Sequence, residues 1–439
     1  MISNSSADDN AACAAQGIHI VAKPIGPLCN LSCAYCFYLE KIALYRANEN
    51  YRMSDKTLAT FVRHYVETQP TPVVEFVWQG GEPTLLGVDF FCRVVELQRP
   101  FASLKTITNV LQTNGTLLDD DWCRFLKQHH FMVGLSLDGP REIHDRYRRD
   151  RQGEGSFDAV MRGLKLLQKH GVEYNVMASV ARETARKPLE VYRFFKDEGV
   201  EFIQFVPIIE RLPAAAEQEL GLNLAGPAVL DREETNTAVT SWTVLPEEYS
   251  DFLIAIYEDW VRNDVGQTFV MNFEWALNAW LGNPSPVCIH AKQCGGSVVI
   301  EHNGDLFACD HHVYPEYRLG NISSDDLARM VDTSLQSGFG QNKESSLPRW
   351  CRDCEVLAAC QGGCPKHRFA RSPYDESGLH YLCAGYRKFF RHIRKYLRAM
   401  TTLLEHGYPA SQVMEAIKGP LVIPKRPTDS GGQKKNCQE

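Results

Sequence analysis

Eleven of the chain's 15 cysteines fall into two groups, and no other feature of the 439 residues restricts the fold as much. Cys29, Cys33 and Cys36 stand near the start, eight more lie between Cys288 and Cys383, and Cys13, Cys92, Cys123 and Cys437 are scattered. Grouped thiols are disulfide-bonded in an oxidising compartment and metal-bound in a reducing one. The opening residues, MISNSSADDNAACAAQG, have neither the basic start nor the apolar core of a secretory leader, so a cytoplasmic location and metal are expected. No run approaches the roughly 18 to 20 apolar residues of a membrane helix, and no membrane association is expected. A net charge of -7 supplies no broad basic field and argues against a nucleic-acid partner.

From residue 18 to 209, short β-rich runs alternate with amphipathic helical runs, the pattern of repeated βα units around a parallel sheet. Six strands are predicted: IHIVAKPI from Ile18, VVEFVW from Val73, TITNVLQT from Thr106, FMVGLSLD from Phe131, YNVMASV from Tyr174 and FIQFVPII from Phe202. A helix over 156–170 puts Phe157, Val160, Met161, Leu164 and Leu167 on one face and ends at Gly171. Another begins at Ser54 with Leu58, Phe61, Val62, Tyr65 and Val66 inward. Periodicity alone does not separate an open sheet from a partial barrel, but in either the chemistry belongs in the loops after the strands. Small and polar residues over 211–244 read as a linker or insertion, a helix resumes over 246–263, and a basic helical segment follows Tyr386.

Cys29-x3-Cys33-x2-Cys36 follows the first strand, where three thiolates can converge on one cluster and leave one iron open to a small molecule. A zinc site would want a fourth ligand, and the next histidine, His64, falls within a predicted helix. The stretch CNLSCAYCFY resembles the signature of radical S-adenosylmethionine enzymes. That resemblance implies an α/β fold, a partial (β/α)6 TIM-type barrel, with a four-iron cluster at its mouth and S-adenosylmethionine on the open iron. Reductive cleavage of the cofactor would then yield a deoxyadenosyl radical. Gln79-Gly80-Gly81-Glu82-Pro83 resembles the family's GGEP motif, so Gly80, Gly81, Glu82 and Pro83 are expected at the cofactor. Ser136, in the run SLDG, is a further implied contact, and Arg148 is expected either at the cofactor carboxylate or in a nearby structural pair. The run QTNG at Gln112 ends the third strand at the same rim; Asn-Gly and Asp-Gly are also ordinary turn dipeptides.

The later cysteines, Cys288, Cys294, Cys309, Cys351, Cys354, Cys360, Cys364 and Cys383, suffice for two closed four-thiolate sites, which from ligand type alone can be zinc or iron–sulfur. Cys360-x3-Cys364-Pro365 echoes a ferredoxin ending and favours iron–sulfur. The array resembles a C-terminal cysteine-rich SPASM domain. By that resemblance one auxiliary cluster takes Cys288, Cys294, Cys309 and Cys364, and the other Cys351, Cys354, Cys360 and Cys383, giving three 4Fe–4S clusters in all. The implied organisation is a disordered 1–17, the barrel at 18–235, a linker and helical segment at 236–287, SPASM at 288–386, a helical segment at 387–422 and a disordered tail at 423–439. His311 and His312 are expected to face solvent or to sit behind the thiolates, and Cys92 and Cys123 to fall in helices where buried thiols are common.

Within this group the chain most resembles the anaerobic sulfatase-maturating enzymes. In that branch Asp310, following Cys309, is the expected catalytic base, while Tyr38 and Gln79 are expected near the substrate. The implied reaction oxidises a Cys or Ser side chain of an unfolded sulfatase segment to Cα-formylglycine, with flavodoxin or ferredoxin as electron donor. Without the resemblance, Asp310 reads as a turn residue or as a hydrogen-bonder behind a ligand. One rival is a SPASM enzyme that forms thioether or carbon–carbon crosslinks in a ribosomal peptide. Another is a zinc-bound interaction protein, which would leave the Gly80-Gly81 motif unexplained.

Overall fold

The computed structural model describes residues 17–46, 49–227 and 237–419. The chain ends expected to be disordered, residue 17 apart, lie outside the described residues, as do Cys13 and Cys437. All six expected strands form: β1 (His19–Lys23), β2 (Val73–Trp78), β3 (Thr106–Thr113), β4 (Phe131–Ser136), β5 (Tyr174–Val180) and β6 (Phe202–Pro207). They lie side by side in chain order, every pair parallel. β1 stops at Lys23, short of the expected Ile25, because Pro24 has no N–H to give the ladder.

The helices form where apolar periodicity meets a terminal signal. Ser54 caps α1 (Asp55–Thr68) by accepting from the Thr57 N–H, and Leu58, Phe61, Val62, Tyr65 and Val66 are all buried. Phe61 and Tyr65 pack on Phe76 and Trp78 of β2; full burial of each such side chain contributes about 2 kcal/mol. α2 (Phe157–His170) ends at Gly171, whose φ of 62° suits glycine. Val160, Leu164 and Leu167 are its buried face, with Phe157 and Met161 half-buried beside them.

The sheet extends past the six strands at both ends. β7 (Phe269–Val270) joins β6, and β8 (Ser297–Glu301) pairs in parallel with β1, in register Ile20 to Val298. β9 (Asp305–Phe307) and β10 (Arg318–Asn321) then add antiparallel. The order is β10-β9-β8-β1-β2-β3-β4-β5-β6-β7, so β1 and β6 never meet and the barrel is partial. The cysteine-rich region is thereby welded to the barrel by the strand that precedes the Cys29 loop. α3 (Pro246–Asn263) lies along α4 (Cys383–Glu405), with Tyr249 against Tyr386 and Tyr257 against Phe389. Cys383 stands in the first turn of α4, so that helix begins before Tyr386.

One expectation is corrected by burial: Cys123 is buried, but Cys92 is exposed on the outer face of helix Val88–Gln98. Of the two places expected for His312, solvent is excluded: it is buried, edge-on to Tyr317 and Phe339. Among the described residues no helix is long and apolar enough to cross a membrane.

Candidate active site

The loops at the C-terminal ends of the strands converge on the Cys29 loop. The Gly81 N–H donates to the Gly26 carbonyl and the Glu82 N–H to the Leu28 carbonyl, both at 2.8 Å. A Cβ on Gly81 would lie 1.8 Å from the Leu28 oxygen, so only glycine allows the two loops to touch. Glu82 is fully buried and accepts four hydrogen bonds, from the Thr84 N–H (3.0 Å) and hydroxyl (2.7 Å), the Thr113 hydroxyl (2.7 Å) and the Asn114 N–H (2.7 Å). Its carboxylate is thus spent inside the protein, tying the loop after β2 to the end of β3, and Pro83 opens the turn that follows. Asn114 donates to Asn30 Oδ1 at 2.9 Å, and Asn30 donates to Thr116 at 2.8 Å. On the opposite flank the Ser32 and Ala34 N–H groups donate to the carbonyls of Arg149 and Tyr147.

Cys29, Cys33 and Cys36 are therefore fixed before any metal arrives. Burial, reinforced by Glu82 and then Cys36, pushes Cys29 up to about 11; burial, reinforced by Cys36 and Cys29, pushes Cys33 up to about 12; burial also raises Cys36. Such thiols are neutral unless a cation draws off their protons, as an iron–sulfur cluster does. Among the described residues no three His, Cys, Asp or Glu side chains converge on a single ion, which would need sulfurs about 4 Å apart. Three partly buried thiols, with no fourth ligand beside them among the described residues, suit a cluster with one open iron.

Asp310 faces this loop from the region after β9. Its carboxylate pairs with Lys23 Nζ at 2.6 Å; the lysine side chain is 2% exposed and the carboxylate 28%. Burial would raise the Asp310 carboxyl, but Lys23, His311 and Lys366 together hold it below its usual range. Lys23 Nζ also donates to Gln79 Oε1 at 3.2 Å and lies 4.4 Å from the centre of the Tyr38 ring. Tyr38 is buried, and its hydroxyl donates to Glu301 on β8 at 2.5 Å. Lys23 therefore gathers Asp310, Gln79 and Tyr38 at one point, although no motif in the sequence marked it. Deeper in, Lys366 donates to Glu210 at 2.7 Å, and Lys41 stacks on Tyr314 with Nζ 3.3 Å from the ring centre.

Ser136 ends β4 half-buried and accepts from Gln112 Nε2 at 3.1 Å. Arg148 takes the structural alternative: its Nε donates to Asp138 at 2.9 Å and its other arm to Ser179 at 3.3 Å. Asp138 also accepts from the Tyr35 hydroxyl and the Ser179 N–H, closing a buried network under Cys33.

Of the eight later cysteines, Cys294 and Cys309 each neighbour Cys288 and Cys364. Burial and the neighbouring Cys364 and Cys288 raise Cys309 well above its ordinary value; the same neighbours, after burial, help push Cys294 up to about 11. Cys351, Cys354, Cys360 and Cys383 line a single small cavity. Two buried cations, both missed in the sequence, hold these loops. Lys343 Nζ donates to the carbonyls of Cys288, Ile289 (3.1 Å) and Ala291, and Arg368 donates to those of Gly362 (2.9 Å), Lys343, Gln361 and Gly363. Each would also offset the negative charge of a thiolate-ligated cluster bound there. His311 Nδ1 lies 3.4 Å from Cys364 Sγ, behind a candidate ligand as expected.

Comparison with known proteins agrees with this layout. Residues 24–195 match the Radical SAM superfamily, and residues 288–355 match the SPASM iron–sulfur cluster-binding domain. A serine-type anaerobic sulfatase-maturating enzyme of Bacteroides thetaiotaomicron is 43% identical over 92% of this chain and 96% of its own. A cysteine-type enzyme of Clostridium perfringens is 32% identical over 85% of this chain and 96% of its own. The solved structure of native anSMEcpe with bound AdoMet and Cp18Cys peptide superposes with a TM-score of 0.74 at 30% identity, covering 88% of this chain and 99% of that one.

Proposed function

Because the chain belongs to the anaerobic sulfatase-maturating enzymes, we propose that it oxidises a serine or cysteine side chain in a sulfatase polypeptide to Cα-formylglycine. The observation that carries this reading is Asp310, a partly exposed carboxylate paired with Lys23 and directly following Cys309. Cys29, Cys33 and Cys36 hold the cluster that binds S-adenosylmethionine, and the Gly80 to Pro83 loop and Ser136 form the cofactor's rim. When bound, the cofactor supplies a deoxyadenosyl radical that takes a hydrogen atom from the substrate Cβ.

The protein's own share is to hold the peptide and move a proton. Asp310 accepts the proton of the substrate hydroxyl or thiol, and Lys23 keeps the carboxylate anionic and aimed. The Tyr38 hydroxyl is committed to Glu301, so its part is to wall the site with its ring and to seat Lys23. Gln79 is half-buried beside the same ammonium and can meet the peptide backbone. A hydrogen atom, a proton and one electron leave the side chain: serine gives the aldehyde directly, and cysteine gives a thioaldehyde that water hydrolyses. The sets Cys288, Cys294, Cys309, Cys364 and Cys351, Cys354, Cys360, Cys383 hold the two auxiliary clusters. Flavodoxin or ferredoxin would serve as electron donor, in the cytoplasm.

Identity is higher to the serine-type relative than to the cysteine-type one, so a serine peptide is the first substrate to try. Asp310→Asn tests the assignment. It is expected to keep its iron and bind S-adenosylmethionine yet make no aldehyde; full activity would remove Asp310 from the mechanism.

A further inference from the structure

β8 ends on Glu301, and Glu301 and His302 are successive ionisable residues whose side chains are both fully buried. Burying such groups costs free energy unless they are paired, so a strand end that had only to pack would carry apolar side chains. Glu301 stands opposite Lys23 in the parallel register of β8 and β1. Its Oε1 accepts from the Tyr38 hydroxyl at 2.5 Å, and the Tyr38 ring in turn carries Lys23 Nζ, which pairs with Asp310. Its Oε2 lies 3.5 Å from His302 Nδ1, and neither of those two atoms makes a hydrogen bond.

His302 lies against the other stem of the cysteine loop. A Cβ on Gly26 would stand 2.7 Å from His302 Nδ1, so the imidazole rests on the backbone just before Cys29. The Gly26 carbonyl is the one that accepts from the Gly81 N–H, which links this ring to the loop from Gly80 to Pro83. Tyr45 and Tyr51 close round the imidazole at 5.0 and 5.1 Å between ring centres, and its Nε2 is 3.3 Å from Glu49 Oε1. Two neighbouring residues of the cysteine-rich region thus grip both ends of the loop that bears Cys29, Cys33 and Cys36.

We propose that Glu301 and His302 are positioning residues of the active site, Glu301 aiming Asp310 through Tyr38 and Lys23, and His302 setting the Cys29 loop through Gly26. Both act through another residue. The Glu301 half rests on the maturation reading, because it concerns the proton that Asp310 accepts; the His302 half needs only the cluster that binds S-adenosylmethionine.

The test uses the reconstituted holoenzyme and three readouts. These are aldehyde formed per deoxyadenosine with a serine sulfatase peptide, deoxyadenosine formed without peptide, and the change that S-adenosylmethionine makes in the electron paramagnetic resonance of the reduced barrel cluster. Glu301→Met is expected to lower aldehyde per deoxyadenosine about thirtyfold or more and to leave the other two as in wild type. Glu301→Gln keeps an acceptor for the Tyr38 hydroxyl and should come within about fivefold of wild type. His302→Leu is expected to do the reverse, cutting peptide-free deoxyadenosine about tenfold or more and altering the spectral change, with full iron content and unchanged aldehyde per deoxyadenosine. Tyr38→Phe removes the same hydrogen bond as Glu301→Met and replaces it if that variant fails to fold, as His302→Gln replaces His302→Leu; Tyr38→Phe/Glu301→Met should lose no more than the larger single loss. Asp264→Asn, which breaks ties to Tyr192 and Lys196 between the end of α3 and the helix Pro188–Asp197, should lower the melting temperature and move none of the three readouts. Wild-type coupling in Glu301→Met, no gain from Glu301→Gln, a wild-type spectral change and rate in His302→Leu, or the same losses in Asp264→Asn would each overturn the proposal. A wild-type chain that forms deoxyadenosine and no aldehyde would sink the maturation reading and the Glu301 half with it, while the His302 half stands or falls on its own two readouts.

Discussion

In the barrel, Cys29, Cys33 and Cys36 are held by backbone meeting backbone, with Gly81 pressed on Leu28 and strand ends supplying the donors. In the C-terminal region the cysteine loops hang on the long side chains of Lys343 and Arg368, each fully buried and spread over several carbonyls. The difference follows from regular structure. Parallel strands deliver their loops to one rim, so small contacts suffice; a region with only short strands has no such frame and borrows one from buried cations. Polar backbone that is buried must find partners, and a guanidinium offers five donors to loops that cannot pair with each other.

The largest expected effect comes from breaking the backbone device. Gly81→Ala forces a Cβ onto the Leu28 carbonyl and is expected to lose about a third of the iron and cut deoxyadenosine formation by more than about 100-fold, as iron analysis and product assay would show. Retention of full iron would mean the loop yields more easily than its contacts imply. Arg368→Met should instead cost roughly 3 kcal/mol of stability, read by denaturant unfolding, because it strands buried carbonyls; Arg368→Lys should rescue little, lacking the fork. Iron lost from Arg368→Met should come from the auxiliary sites, with the barrel cluster's signal persisting in electron paramagnetic resonance.

Lys23 is the point where the two regions meet, on β1 and paired with Asp310. Lys23→Met is expected to lower kcat about tenfold to a hundredfold with little change in peptide KM, and Lys23→Arg to restore part of it. A rise in KM alone would make Lys23 a binding residue. The last effect is one of pH and concerns Lys41, which burial and Lys366 lower to about 7. A lysine with a depressed folded value binds its proton more readily when unfolded, so stability should rise with pH from about 7 to about 10.5 and level off beyond. Lys41→Met should flatten that slope in unfolding midpoints measured across the range.

The six strands and the helices α1 and α2 were legible in the sequence because period, caps and burial agreed at every level. The two groups of cysteines stood out in the sequence because close spacing is itself a pattern. Two kinds of information were not. The parallel pairing of β8 with β1 joins residues far apart in the chain, and no local signal announces it. Lys23, Lys343 and Arg368 look like ordinary surface cations in the sequence, since one charged residue carries no period; only burial reveals them. Cys92 went astray for a related reason, because residue type predicts average burial and not which face of an element a residue takes.

The most direct test of the central claim is anaerobic turnover of the reconstituted wild-type chain with S-adenosylmethionine, a strong reductant and serine- or cysteine-containing sulfatase peptides, following peptide mass and deoxyadenosine in one sample. The account predicts a carbonyl-reactive aldehyde that accumulates in step with deoxyadenosine. Deoxyadenosine formed beside an unaltered peptide, or a crosslinked peptide without an aldehyde, would contradict it.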